Sequence, residues 1–150
     1  MVLAADVMFV CGIPFRITLS GGIRFVTVQF IPPRTAKELT NVINDVITLY
    51  LRAGFTCHTA LMDGEFEKVN DELLDKIVVN TCSKNEHVPE IERKMRHVKE
   101  KCCCIKADMD IPVLPTVMIK HMVIHAVMFL NAYPEEQGIS TEYSLREIIL

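Results

Sequence analysis

Long hydrophobic runs are missing from this chain. Half of its 150 residues are hydrophobic, yet no stretch of about 18 apolar residues escapes interruption by charge or proline, so a membrane-spanning helix is not expected. The opening Met1-Val2-Leu3-Ala4-Ala5-Asp6 has neither the basic start nor the long apolar centre of a secretory signal, which makes a soluble, intracellular protein the expectation. Excess positive charge is missing too: the formal net charge is -3, which excludes nucleic-acid binding by bulk electrostatics alone. Internal repeats and low-complexity segments are absent. The length suits a single domain that buries roughly two thirds of its unfolded surface.

Cysteine is present in quantity, at Cys11, Cys57, Cys82, Cys102, Cys103 and Cys104. Without a secretory signal these read as reduced thiols and not as a disulfide frame. His121 and His125 sit four apart on an expected helix and could join the cysteine run around a zinc ion. The run lacks the usual two-residue spacer, however, and the helix is apolar enough for both histidines to be core residues. Charge is distributed locally. Between residues 93 and 106 lie Arg93, Lys94, Arg96, Lys99, Lys101 and Lys106 with Glu100 as the sole acid, whereas acids concentrate between Asp63 and Asp75.

The chain reads as β-β-β-α-β-α-β-α-α. Val7 to Cys11 and Phe15 to Leu19 are apolar runs separated by Gly12 and Pro14, a hairpin signature, and Ser20-Gly21-Gly22 turns the chain into an alternating strand from Arg24 to Phe30. Thr35 followed by Glu38 is a capping-box pattern opening a helix from Ala36 to Arg52. In that helix Leu39, Val42, Ile43, Val46, Ile47 and Tyr50 form one stripe before Gly54 stops it. Phe55 to Met62 reads as a fourth strand, parallel to its neighbour because a helical crossover precedes it. A short acidic helix is expected within 65–74 and a fifth strand over Lys76 to Thr81. Pro89 opens a helix through Cys104 with Ile91, Met95, Val98 and Cys102 inward, and Thr116 to Leu130 is a strongly apolar last helix. The fold class expected is α/β, a mixed sheet with helices on its faces.

Asp6 stands at the start of the first strand, flanked by apolar residues, and Asp63 at the tip of the fourth. A carboxylate there costs several kcal/mol unless a cation or hydrogen bonds compensate it, and metal coordination is one solution. If the first strand is central and neighbours the fourth, both side chains converge at one sheet edge, where a magnesium ion can take one or two carboxylates and keep its waters. The plainer alternative is that both aspartates cap turns.

The segments Ala5-Asp6-Val7-Met8-Phe9-Val10-Cys11-Gly12-Ile13-Pro14-Phe15, Ala60-Leu61-Met62-Asp63-Gly64-Glu65-Phe66-Glu67 and Glu86-His87-Val88-Pro89-Glu90-Ile91-Glu92-Arg93-Lys94-Met95-Arg96 resemble the integrase catalytic core of Ty1/copia-type retrotransposons, in particular its microalgal type. The resemblance spans nearly the whole chain. It implies an RNase H-like fold, with a five-stranded mixed sheet of three antiparallel strands and then parallel ones. It also implies an Asp-Asp-Glu set made of Asp6, Asp63 and Glu92. Asp63-Gly64-Glu65-Phe66 stands where the family carries Asp-Asn-Gly-x-Glu-Phe, without the Asn, and Ile91-Glu92-Arg93 matches the glutamate-bearing helix start. Asp63 and Glu92 are closer in sequence than is typical of the family, and Glu86 and Glu90 are nearby alternatives for the third ligand.

The implied activity is DNA integration: two Mg²⁺ or Mn²⁺ ions on the three carboxylates, end processing, and strand transfer into target DNA. Arg96 and Lys99, four and seven residues beyond Glu92 on its own helical face, together with Arg93, are the expected DNA-phosphate contacts. DNA, a homo-oligomeric partner and a nuclear location follow from the same resemblance. The zinc module and basic domain that flank this core in full-length integrases are not seen, so a fragment of a longer polyprotein is expected. Two other functions remain open on the same fold: a catalytically inactive domain that binds nucleic acid or protein, and an RNase H-like nuclease.

Overall fold

A computed structural model describes residues 1–31, 36–62, 78–81 and 89–150, with the backbone alone at 36, 37, 39 and 78–81. Its sheet is mixed. Strands β1 (Val2–Val10), β2 (Ile13–Ser20) and β3 (Val26–Phe30) form an antiparallel meander, and β4 (Thr59–Met62) pairs parallel to β1 on its other side. A short β5 (Val78–Thr81) extends the sheet beyond β4, giving the order β3-β2-β1-β4-β5. The α/β architecture read from the sequence is therefore the architecture found, with β1 at the centre.

The meander follows from its turns. Val10 pairs with Ile13, so Cys11 and Gly12 alone make the first hairpin loop. Both have positive φ, 50° and 76°, the double left-handed geometry whose twist matches that of the flanking strands. Helix α1 (Ala36–Arg52) has the limits expected from its periodicity. Gly54, at φ 83°, ends it in a Schellman arrangement: the Phe55 N–H donates to the Tyr50 carbonyl and the Gly54 N–H to that of Leu51. Because Phe55 serves this cap, β4 starts at Thr59 and not at Phe55 as its apolar start suggested.

Two cores lie on opposite faces of the sheet. Odd positions of β1, Leu3 and Ala5, pack with Val42, Ile43, Val46, Ile47 and Tyr50 of α1. The C-terminal α4 (Leu145–Ile149) buries Leu145 and Ile149 in the same cluster, and Ser144 with Glu147 caps that helix reciprocally. Even positions Ala4, Met8 and Val10, with Phe15, Ile17 and Leu19 of β2, pack against α2 (Pro89–Ala107) and α3 (Thr116–Asn131). Asn131 fastens α3 to the sheet, since its side chain accepts from the Val26 N–H at 3.0 Å and donates to the Val26 carbonyl at 2.7 Å. On the α1 face Arg16 is buried, and desolvation lowers its pKa to about 10.

Several expectations are revised. Helix α2 runs one turn further than Cys104, to Ala107. His121 and His125 are exposed rather than core, because α3 turns one face to solvent with Val117, Ile124 and Met128 also exposed. The described residues contain no group of three His, Cys, Asp or Glu side chains arranged to hold a metal, so the zinc reading gains nothing. Among the described residues no helix is long and apolar enough to cross a membrane. Thr35, the short acidic helix of 65–74 and the loop 82–87 lie outside the described residues.

Candidate functional site

Asp6 occupies the middle of the central strand, opposite Ile17 of β2. Alternation along β1 puts it on the face of Ala4, Met8 and Val10, toward α2 and α3, where it is half-buried. Its Oδ1 accepts the Val7 N–H at 2.6 Å. In the parallel pairing of β1 with β4 Ala5 lies opposite Met62, and Asp6 and Asp63 are the next residue of each segment in the sequence. Asp63 itself lies outside the described residues, as does Glu86.

Helix α2 runs along the same sheet face in the direction of β1. Its first turn is tied to the β2–β3 connection, since Arg24 Nη1 meets Glu90 Oε2 at 2.7 Å, and its last turns reach the far end of β1, where Lys99, Cys102, Cys103 and Lys106 line a groove with Phe9, Val10 and Cys11. Counting back from that groove, Asp6 lies about 13 Å before Val10 at the strand rise. Glu92 lies about 10 Å before Lys99 at the helix rise. Asp6 and Glu92 are thus carried by a strand and a helix that pack against each other.

Around the helix axis the basic residues divide. Glu92, Arg96, Lys99 and Cys103, spaced four, three and four apart, are exposed and line one open depression with Met95, Glu100 and Cys104. Arg93, Lys94 and His97 face the other way, toward Phe129, Tyr133 and the 134–137 segment beyond α3. Lys94 is buried and its ammonium meets Glu135 Oε2. Arg24, also buried, donates from Nη2 to Gln137 Oε1 at 3.0 Å and lies 3.8 Å from Glu135 through Nε. The expected set of DNA contacts is therefore split: Arg96 and Lys99 share a flank with Glu92, and Arg93 does not. Glu90 is engaged by Arg24 on that second flank, leaving Glu92 as the first-turn glutamate on the Arg96 side.

The Arg24–Glu90–Glu135–Lys94 cluster was not anticipated. A signal for it existed: Lys94 falls three residues after Ile91 and four before Val98, on the inward stripe of α2, and a lysine there needs an acid. Its partner is 41 residues away in sequence, which periodicity does not report. No protein-family model and no curated protein matches this chain.

Proposed function

We propose that the chain is an RNase H-like DNA strand-transfer domain, the integrase core its motifs resemble, with Asp6, Asp63 and Glu92 as the carboxylates that hold divalent metal ions against a phosphodiester. The observation that carries the reading is the register of β1 on β4, Val2 to Ala5 beside Thr59 to Met62, because the residues that follow these in sequence are Asp6 and Asp63. The strand order supports it, because three antiparallel strands followed by parallel ones beyond the central strand is the order such a fold requires. The single flank shared by Glu92, Arg96 and Lys99 supports it further.

The donors fit the ion. Carboxylate oxygens are the hard ligands that Mg²⁺ and Mn²⁺ prefer, and Asp6 offers them from a half-buried position on the sheet face that α2 covers. Bound there, two ions would supply Lewis-acid activation of a water or a DNA 3′-hydroxyl and neutralise the leaving oxygen of an in-line displacement at phosphorus. The chain's own contribution is positional. Asp6 is carried by the strand with neighbours on both sides, the most rigid part of the sheet, so its oxygens have little freedom to drift. Glu92 approaches from the first turn of a helix packed on that strand. Arg96 and Lys99, one and two turns on, would hold DNA phosphates beside the metal site. End trimming and strand transfer use the same groups with different nucleophiles.

Isothermal titration of Mg²⁺ and Mn²⁺ into the purified protein tests this, alongside a Glu92→Gln variant with the same circular dichroism spectrum. Saturable binding that the variant weakens is the expected result. Absence of binding to either protein, or equal binding to both, would sink the proposal.

A further inference from the structure

The groove at the far end of β1 brings together cysteines from two elements that the proposed DNA chemistry does not use. Cys11 is the first residue of the two-residue β1–β2 turn, exposed and in the left-handed region at φ 50°. Asparagine or glycine adopts that conformation more readily, so a cysteine holds the position at a conformational cost. Cys102 and Cys103 come from α2, the first buried and the second exposed, and all three line the groove with Lys99 and Lys106. The Cys102 thiol is pushed up to about 11, first by burial and then by the neighbouring Cys103 and Cys11 thiols. Cys102 therefore stays protonated as a small core residue, packed with Val98 and Val123. Cys104, one residue further round the helix, does not line the groove.

We propose that Cys11 and Cys103 form a thiol–disulfide site, a pair that hydrogen peroxide oxidises to an intramolecular disulfide joining the β1–β2 turn to α2. The Cys11 sulfur attacks one peroxide oxygen, the O–O bond breaks, water leaves and Cys11 becomes a sulfenic acid. The Cys103 sulfur then attacks the Cys11 sulfur, an S–S bond forms and a second water departs with the sulfenic oxygen. Two thiols are oxidised by two electrons and the peroxide is reduced to water. A dithiol reductant reverses the change by exchange.

The test treats the whole protein with one equivalent of hydrogen peroxide, blocks remaining thiols in denaturant and maps the peptides. The expected result is loss of two of the six thiols, a monomer lighter by two hydrogens, one linked peptide pair containing Cys11 and Cys103, and recovery of all thiols with dithiothreitol. In Cys103→Ser the linked pair disappears and Cys11 is trapped by dimedone as its sulfenic acid. Cys11→Asn, which suits the turn and protects against a folding artefact, keeps its other thiols, and Cys104→Ser behaves as the wild type. Linkage of Cys11 to Cys102 or Cys104, cross-links only between molecules, or six intact thiols after treatment would overturn the assignment.

Discussion

The two flanks of α2 carry similar side chains to different ends. On one, Lys94 is buried against Glu135, Glu90 meets Arg24, and Lys101 lies 4.2 Å over the Phe129 ring. On the other, Glu92, Arg96 and Lys99 are exposed along an open depression. A charge that has been desolvated and paired contributes to the fold and is costly to unpair, whereas an exposed charge contributes little stability whatever it meets at the surface. Within the run of cations between residues 93 and 106, helical phase sets the buried, paired Lys94 apart from the exposed Arg96 and Lys99.

Removing a carboxylate should break the contrast most visibly. Asp63→Asn is expected to fold normally and to lose metal-dependent DNA strand transfer by about a thousandfold or more, the equivalent of several kcal/mol of transition-state charge stabilisation. A gel assay with labelled DNA ends measures it, and activity equal to the wild type would refute the carboxylate set.

On the paired flank, Lys94→Met strands Glu135 beside Arg24 alone and should cost about 1–3 kcal/mol, a fall in Tm of roughly 3–10 °C, with little change in DNA affinity. An unaltered melting curve would show the pair to be dispensable. The exposed flank should respond in the opposite sense. Arg96→Glu with Lys99→Glu is expected to leave stability within about 0.5 kcal/mol. It should weaken DNA binding roughly tenfold or more and flatten the dependence of log affinity on log salt by about 2. Arg93→Glu, on the paired flank, should do far less, and equal losses from both flanks would erase the distinction.

The smallest effect concerns a carboxylate paired at the surface. Hydrogen bonds from the Ser144 hydroxyl and backbone N–H hold the Glu147 carboxyl below its ordinary range. A depressed pKa stabilises the fold above the unfolded carboxylate value and ceases to do so as pH falls through the folded one. Glu147→Gln should therefore be slightly less stable than wild type at neutral pH, with the gap closing in acid. A gap that is constant with pH would mean that capping geometry, and not charge, is responsible.

Much of the fold was legible because periodicity is local. The limits of α1 follow from a stripe at three- and four-residue steps and a glycine stop, and the meander from a two-residue turn followed by a Gly-Gly turn. The start of β4 was misread because Phe55 satisfies both a strand pattern and the hydrophobic position of a Schellman cap. His121 and His125 were misread because a helix of high mean hydropathy gives little contrast between its faces, and here one face stays in solvent. Asp6 and Glu92 were readable as candidates from their place in the segments; the division of Arg93 from Arg96 required knowing what lies on each side of α2.

By itself the sequence determined the order of the described elements as far as α3, the inward stripes of α1 and α2 and the apolar neighbours of Asp6, since each depends on residues a few positions apart. The tertiary structure alone decided that Lys94 is a buried partner of Glu135, that Glu90 is engaged by Arg24, and that Cys11 shares a groove with Cys103. Those outcomes depend on which distant groups burial forces together, and the desolvation that makes them matter arises only once the helices have closed over the sheet.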